Sequence, residues 1–259
     1  MIWGYIRWNA SPEILSVGPL TLRWYGLLFA TGFFVGFYIM QWIYRTEKRP
    51  EKDLDTLLWY LLIGTVVGAR LGHCLFYEPA YYLSHPWDIL KVWEGGLASH
   101  GGTAGVVLAL YLYSQKRPDQ PFLWVADRLT VPTALAATCI RLGNLFNSEI
   151  YGKITTLPWA FIFERVDPHP RHPTQLYEAI AYLTLFFLLL ALYRKGIYSK
   201  WHTGKPLGFF FLWVFGMRFV IEWVKEPQEA FDLGLPLNMG QLLSIPFLLV
   251  GLYLFLRKR

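Results

Sequence analysis

The sequence predicts an all-α polytopic membrane protein with about seven transmembrane helices. Of the 259 residues, 54% are hydrophobic and only 16% are charged, whereas soluble domains carry about 25% charged residues. Seven apolar stretches also approach the length of about 20 residues that crosses a bilayer. They cover residues 22–44, 54–77, 98–114, 122–146, 174–194, 205–224 and 238–256. Little chain remains for a separate soluble domain, so we expect one transmembrane domain over residues 1–259.

Two of the spans are marked less clearly than the others. The third, 98–114, is short and rich in glycine, and the fourth, 122–146, contains Asp127, Arg128 and Pro132. We retain the fourth span because the distribution of charge between the loops requires it.

Two sequence patterns predict local structure around the spans. Small residues four apart let transmembrane backbones approach closely. Glycines recur at this spacing at Gly32 and Gly36, at Gly64, Gly68 and Gly72, and at Gly101 and Gly105. The segment 86–95 mixes tryptophan and leucine with charged residues, a pattern typical of a short interfacial helix.

Lysine and arginine in the loops predict the orientation. One set of loops, at 45–52, 116–117, 194–205 and 257–259, carries 13 of the 24 Lys and Arg residues, and the opposite set carries 7. Cytoplasmic loops hold the excess of positive charge. The N-terminus is therefore predicted outside and the C-terminus in the cytoplasm. The polar segment 147–173 between the fourth and fifth spans is then an insertion on the outer side.

Polar residues converge near the outer ends of six spans once the orientation is set. A charged side chain in hydrocarbon costs at least about 3 kcal/mol on insertion scales and is a functional candidate by default. The converging residues are Tyr25, Arg70, His100, Arg141, Asn144, His172, Gln175, Arg218 and Glu222. The arginines among them suggest a phosphate group, which a guanidinium binds with two parallel hydrogen bonds.

Each of these residues also has a structural interpretation. Arg218 and Glu222 are four apart and could form an ion pair that only stabilises the helix. His100 could be a buried, hydrogen-bonded histidine, and Asn144 could bridge two helices. The formal charge of +6 is not gathered in a basic tract, so no nucleic-acid partner is expected. The sequence has no motif typical of a metal or nucleotide site, so we expect no cofactor and no metal.

Seven stretches in order strongly resemble one family, the bacterial phosphatidylglycerol–prolipoprotein diacylglyceryl transferases. They are LRWYG (22–26), GARLGHCLFY (68–77), GGLASHGG (95–102), RLGNLFNSEIYG (141–152), RHPTQLYE (171–178), RFVIEW (218–223) and MGQLLSIP (239–246). The resemblance covers nearly the whole chain. RLGN-x-x-N-x-E-x-x-G and HPTQLYE are highly specific, whereas an isolated GG or RWYG would not be.

The resemblance implies transfer of a diacylglyceryl group from phosphatidylglycerol to the lipobox cysteine of a preprolipoprotein signal peptide. A thioether forms and glycerol-1-phosphate leaves, as the first step of lipoprotein maturation. The resemblance further implies a multi-pass enzyme of the bacterial cytoplasmic (inner) membrane, in contact with membrane lipids. Its active site would face the periplasm, so 147–173 would be a periplasmic insertion.

The expected site has two groups of residues; the resemblance implies all of them except His172 and Gln175, which come from the convergence of polar residues. The catalytic group is His100, Arg141, Arg218 and Glu222. The substrate-binding group is Tyr25, Arg70, Asn144, Glu149, Gly152, His172 and Gln175. His100 is the favoured general base for the substrate thiol, and His172 is the alternative.

Several alternatives stay open at the level of sequence. Lys225 and Val214 stand where family members more often carry arginine and, in some, tyrosine, so no role is assigned to them. Cys74 or Cys139 could instead act as a covalent nucleophile. A transporter for an anionic lipid or a non-catalytic membrane scaffold are the alternatives outside enzymes.

Overall fold

Seven long α-helices form most of the structure, a computed structural model that describes residues 4–18, 20–227 and 237–258. The long helices are α1 (Trp24–Thr46), α2 (Glu51–Phe76), α4 (Ser99–Lys116), α5 (Phe122–Asn147), α6 (Thr174–Arg194), α8 (Lys205–Ile221) and α9 (Met239–Leu256). The short helices are α3 (Pro79–Ser84) and α7 (Ile197–Lys200). The bounds of the long helices fall within three residues of the predicted spans. Of the charged residues used for the orientation, Arg259 lies outside the described ranges.

Six of these helices are long and apolar enough to cross a membrane. They are α1, α2, α5, α6, α9 and the helical segment Lys205–Val224, which extends α8 by one 3-10 turn. The all-α polytopic class is therefore confirmed. Helix α4 has 18 residues but is not among the six. Its glycines and polar ends dilute the apolar residues between them, as the short, glycine-rich third span had indicated.

The chain divides into two compact units, Met1–Ile39 with Asp127–Arg259 and Met40–Ala126. In the second unit, α2 and α4 pack through the predicted glycines. A Cβ atom at Gly64 would lie 2.7 Å from the carbonyl oxygen of Gly105, and one at Gly72 would lie 2.7 Å from the Cα of Gly101. Side chains at these positions would push the two helices apart, so the predicted role in packing is confirmed.

A buried polar cluster in the second unit joins the start of α2 to the end of α4. Gln120 is fully buried; its Nε2 donates to Asp53 Oδ2 at 2.9 Å, and its Oε1 accepts from the hydroxyls of Tyr44 and Tyr113. Arg117 lies 2.6 Å from the other oxygen of Asp53. Buried polar groups need partners of this kind, and the cluster fixes the start of α2 against the end of α4.

The first unit contains short strands that the sequence did not predict. Strands β2 (Glu13–Val17) and β3 (Leu20–Arg23) form an antiparallel pair. Strand β4 (Phe161–Phe163) pairs in parallel with β1 (Ile6–Trp8) and antiparallel with β5 (Pro170–Arg171). Two of these strands lie within 147–173, so this insertion is folded against the N-terminal segment. A small core of Leu145, Phe161 and Phe163 holds it to the end of α5.

Helix α8 is joined to α5 at its start and to α9 along its length. At its start, Asp127 is buried in α5 and accepts hydrogen bonds from the backbone N–H groups of Gly204 and Leu207 at 2.8 and 3.0 Å. A carboxylate there satisfies N–H groups that have no partner inside the helix. Along its length α8 packs on α9, where Gly208 and Gly251 allow close approach.

Candidate active site

Polar side chains from four helices and the 147–173 insertion meet in the first unit. They come from the first turn of α1, the last two turns of α5, the first two turns of α6 and the end of α8. Direct contacts join these ends within the first unit: Arg141 of α5 lies against Glu178 of α6, and Tyr25 of α1 lies against Gly143 of α5. The predicted site residues in this unit are Tyr25, Arg141, Asn144, Glu149, Gly152, His172, Gln175, Arg218 and Glu222.

Arg141, Asn144 and Glu149 form a chain of hydrogen bonds at the end of α5. Arg141 Nη1 donates to Asn144 Oδ1 at 3.2 Å, and Asn144 Nδ2 donates to Glu149 Oε1 at 2.7 Å. Asn147 Nδ2 donates to the same oxygen at 3.1 Å. The buried Asn144 therefore links the arginine to the carboxylate.

Gln175 ties the insertion to the start of α6. It is fully buried, and its Nε2 donates to the backbone carbonyl of Glu149 at 2.7 Å. Its Oε1 has no hydrogen-bond partner within the described residues. The single donated hydrogen bond therefore fixes the start of α6 to the backbone that carries Glu149.

Gly152 lies where three pieces of backbone meet. A Cβ atom there would approach His172 Cβ to 2.5 Å, Val224 O to 2.6 Å and Thr174 Cγ2 to 2.8 Å. The N–H of Gly152 donates to the carbonyl of His172 at 2.8 Å. Only glycine fits this position without moving its neighbours.

His172 is held beside Tyr177 at the end of the insertion. Its Nδ1 lies 3.2 Å from the Tyr177 hydroxyl, which in turn accepts from the indole N–H of Trp159 at 2.9 Å. Burial lowers the pKa of His172, because desolvation disfavours the imidazolium form. At neutral pH the neutral ring is therefore favoured, which suits either a base or a structural hydrogen bond.

Tyr25 packs on the end of α5. A Cβ atom at Gly143 would lie 2.8 Å from Tyr25 Cδ2, so the glycine in RLGN makes room for this ring. The packing brings the start of α1 to the same helix end that carries Arg141 and Asn144.

Arg218 and Glu222 approach each other across the end of α8. Arg218 Nε lies 3.8 Å from Glu222 Oε1, so the i,i+4 pair is present. Glu222 is also fixed from α9, because Asn238 Nδ2 donates to its backbone carbonyl at 3.2 Å and to its Oε2 at 3.4 Å. Arg218 Nε is buried and has no hydrogen-bond partner within the described residues.

Two residues missed as site members complete the charge pattern. Glu178 Oε2 lies 3.0 Å from Arg141 Nε, and its Oε1 lies 3.7 Å from Lys225 Nζ. Lys225 Nζ also donates to Glu222 Oε1 at 3.3 Å. Glu178 could have been found from its spacing of three with Gln175. Lys225 could have been found only as an unusual residue beside a motif.

The five charged side chains form a row of alternating sign: Arg141, Glu178, Lys225, Glu222 and Arg218. The two arginines end the row and keep side-chain exposures of 15% and 33%, whereas the three inner side chains have 1%, 4% and 9%. Only the arginines therefore present charge to a ligand. With all groups ionised the row carries one net positive charge, and two guanidinium groups can receive a phosphate.

Arg70 lies in the second unit, and its guanidinium is occupied by backbone. It is buried and donates to the carbonyls of Ile89 at 2.9 Å, of Gly95 at 2.6 Å and of Asp88. Its guanidinium also lies 5.1 Å from the centre of the Tyr82 ring. In the structure Arg70 therefore organises the segment between α3 and α4. The short helix predicted over 86–95 is present there as two 3-10 helices, Pro86–Leu90 and Val92–Glu94.

His100 also belongs to the second unit, as the second residue of α4, and it is exposed. Cys74 and Cys139 are free and buried.

Comparison with known proteins gives one consistent result. The family model described as Prolipoprotein diacylglyceryl transferase matches residues 12–257. Three relatives carry the name phosphatidylglycerol–prolipoprotein diacylglyceryl transferase. The one from Tolumonas auensis is 55% identical, over 96% of each chain. Those from Chloroherpeton thalassium and Porphyromonas gingivalis are 52% and 46% identical, each over 98% of this chain and 94% of the relative. The chain therefore belongs to the prolipoprotein diacylglyceryl transferase family.

Proposed function

We infer that this chain transfers a diacylglyceryl group from phosphatidylglycerol to the lipobox cysteine thiol of a preprolipoprotein, the first step of lipoprotein maturation. Family membership over residues 12–257 supports the reaction. The observation that carries the mechanism is the charged row, which presents Arg141 and Arg218 from a buried, charge-balanced interior.

The reaction is a displacement at the glycerol carbon that carries the phosphate. The base takes the thiol proton, because only the thiolate attacks. The carbon–sulfur bond of the thioether forms as the carbon–oxygen bond breaks. The bridging oxygen keeps the electron pair and leaves as part of glycerol-1-phosphate. Negative charge therefore grows on the phosphate, which the two arginines stabilise where water is scarce.

The remaining residues of the first unit hold the headgroup and the arginines in place. Glu222 orients Arg218, and Asn144 connects Arg141 to Glu149. Gly152 and Gln175 shape the backbone around Glu149, and Tyr25 closes the site from α1. These roles are supported by the hydrogen bonds and close packing of the unit.

His100 is the proposed base, and His172 is the alternative. The roles of His100 and Arg70 rest on the family resemblance of the segments that contain them. The prediction that Arg70 binds substrate remains a prediction. In the structure its guanidinium donates hydrogen bonds to backbone carbonyls. No cofactor and no metal enter the proposal.

The proposed topology has seven spans, with α4 as the third, the N-terminus outside and the C-terminus in the cytoplasm. The 13-to-7 distribution of Lys and Arg between the loops supports this orientation. The site then faces the periplasmic side of the bacterial inner membrane, and the 147–173 insertion is periplasmic.

The test uses purified protein, phosphatidylglycerol vesicles and a synthetic lipobox peptide, with mass spectrometry of the peptide. We expect a mass increase of one diacylglyceryl group on the cysteine, and none on a control peptide with serine in its place. A phosphatidylglycerol transporter would move the lipid between leaflets without changing the peptide. Lipid flux with an unmodified peptide would therefore overturn the proposed function.

A further inference from the structure

Lys225 occupies the centre of the charged row, and it is buried more deeply than a lysine ordinarily is. It is 4% exposed, and lysine is almost never fully buried unless it is paired. Its ammonium lies between two carboxylates, 3.3 Å from Glu222 Oε1 and 3.7 Å from Glu178 Oε1. Neither oxygen of Glu178 has a hydrogen-bond partner within the described residues. The charge of Lys225 therefore opposes two carboxylates that would otherwise repel each other.

The backbone around Lys225 is fixed by the insertion. Gly152 and Lys225 form an isolated β-bridge. On either side, Lys153 N–H donates to the carbonyl of Val224 at 2.8 Å and Glu226 N–H donates to the carbonyl of Tyr151 at 3.2 Å. This short two-stranded contact between the insertion and the end of α8 fixes the backbone of Lys225 and so the position of its ammonium. The same close approach of the two backbones leaves room only for glycine at position 152.

Removing the charge of Lys225 would change how the carboxylates hold the arginines. Glu178 contacts Arg141 with one oxygen and Lys225 with the other, while Glu222 contacts Lys225 and Arg218 with the same oxygen. Without the central cation, each carboxylate would draw its arginine inward to balance a buried charge. The row would also lose its net positive charge.

We propose that Lys225 is a positioning residue for the transfer. Lys225 lies between Glu178 and Glu222, where it keeps the guanidinium groups of Arg141 and Arg218 separated and partly exposed. Its own charge gives the row a net charge of plus one. That excess matches the single negative charge of a phosphodiester headgroup. The proposal rests on the proposed function, because it concerns the arginines that receive the phosphate. Lys225 itself does not reach the substrate.

The test compares the full-length wild type with Lys225→Met, Lys225→Arg and Lys200→Met in the transfer assay. Lys200 is exposed at the end of α7, so Lys200→Met removes the same charge outside the row. A shift of about 1 Å in a catalytic group can reduce a rate about 100-fold. We expect a loss of that order in kcat/KM for Lys225→Met, together with a lower melting temperature, because Glu178 and Glu222 lose the buried cation between them. Lys225→Arg should keep most of the activity, and Lys200→Met should keep all of it.

The alkaline side of the pH–rate profile gives a second readout. Burial lowers the pKa of Lys225 and its carboxylate neighbours raise it, with burial the larger effect. The groups that face it are Glu178 from α6, Glu222 at the end of α8, Arg141 from α5 and Arg218 from α8. As pH rises, wild type should lose activity when Lys225 loses its proton. Lys225→Arg should keep activity there, because arginine stays protonated.

Two results would overturn the proposal: Lys225→Met with more than half of the wild-type kcat/KM, or identical alkaline limbs for wild type and Lys225→Arg. If Lys225→Met does not fold, the alkaline comparison decides alone. If the wild-type protein leaves the peptide unmodified, the proposed function itself is wrong. That result differs from the two above, which contradict only the role of Lys225.

Discussion

Arg141 and Arg218 are the two charged side chains of the row that a ligand can reach. If each stabilises the leaving phosphate, Arg141→Ala and Arg218→Ala should each reduce kcat about 100-fold or more, the usual cost of losing one donor to a developing oxyanion. Lysine at either position should recover only a little, because an ammonium cannot make two parallel hydrogen bonds.

The measurement is kcat with saturating phosphatidylglycerol. Arg257→Lys is a suitable control, since Arg257 is exposed and donates to the backbone carbonyl of Thr203. If Arg218→Lys folds normally and keeps most of the activity, bidentate contact is not the reason for this arginine.

The identity of the base is a second question at the residue scale. A base loses its function when it is protonated, so the rate should fall on the acid side of the pH–rate profile. His100→Gln should abolish most of the turnover, while His172→Gln should leave the acid limb unchanged.

An active His100→Gln enzyme with an unchanged acid limb would move the assignment to His172. Burial lowers the pKa of His172, so that acid limb would lie below the pH at which an ordinary histidine titrates. The comparison is made with one peptide at fixed lipid composition, so that the thiol of the substrate contributes equally to each profile.

The sequence located Arg141, Asn144, Arg218 and Glu222 because each lies in an apolar span, where a polar side chain is conspicuous. Lys225 was noticed beside its motif but was given no role, because it follows the apolar run and looks like an ordinary loop lysine. Its burial depends on Gly152 and Glu178, which are far from it in sequence. Contacts of that kind arise only when the insertion folds against the end of α8.

At the scale of elements, the insertion 147–173 depends on glycine at position 152. Gly152→Ala would place a methyl group against His172, Val224 and Thr174. Overpacking costs about 1 to 3 kcal/mol, so we expect lower thermal stability together with a large loss of kcat. Gly216→Ala is the matched control in α8, because a Cβ there meets Leu248 only at 3.9 Å. Equal stability and activity for both variants would contradict the role of Gly152.

The elements differ in how far the sequence could predict them. The long apolar runs predicted the bounds of α5 and α6 to within one residue. A run of that length in a membrane must satisfy its backbone hydrogen bonds internally, which favours an α-helix. The strands β1, β4 and β5 have three residues or fewer, too short for an alternating pattern to be recognised. They form because the insertion pairs with the N-terminal segment in the folded unit. No local sequence pattern predicts a contact between segments so far apart in the chain.

At the scale of the whole molecule, the proposed topology can be tested by cysteine labelling. On a background with Cys74→Ser and Cys139→Ala, we expect a cysteine at position 153, which carries an exposed lysine, to react with an impermeant maleimide from outside spheroplasts. A cysteine at position 48 should react only after permeabilisation. Position 160 of the same insertion is unsuitable for labelling, because Ala160 is buried in the structure. The opposite labelling pattern would place the charged row on the cytoplasmic side.

The central claim is that the phosphate leaves with its bridging oxygen while Arg141 and Arg218 stabilise it. The most direct measurement uses phosphatidylglycerol labelled with ¹⁸O between the diacylglyceryl carbon and phosphorus, with mass spectrometry of all products. The account predicts ¹⁸O in the released glycerol phosphate, none in the thioether peptide, and the same partition at a much lower rate in Arg218→Ala. If ¹⁸O stays instead on the diacylglyceryl group, phosphorus–oxygen cleavage comes first, and direct displacement by the thiolate is wrong.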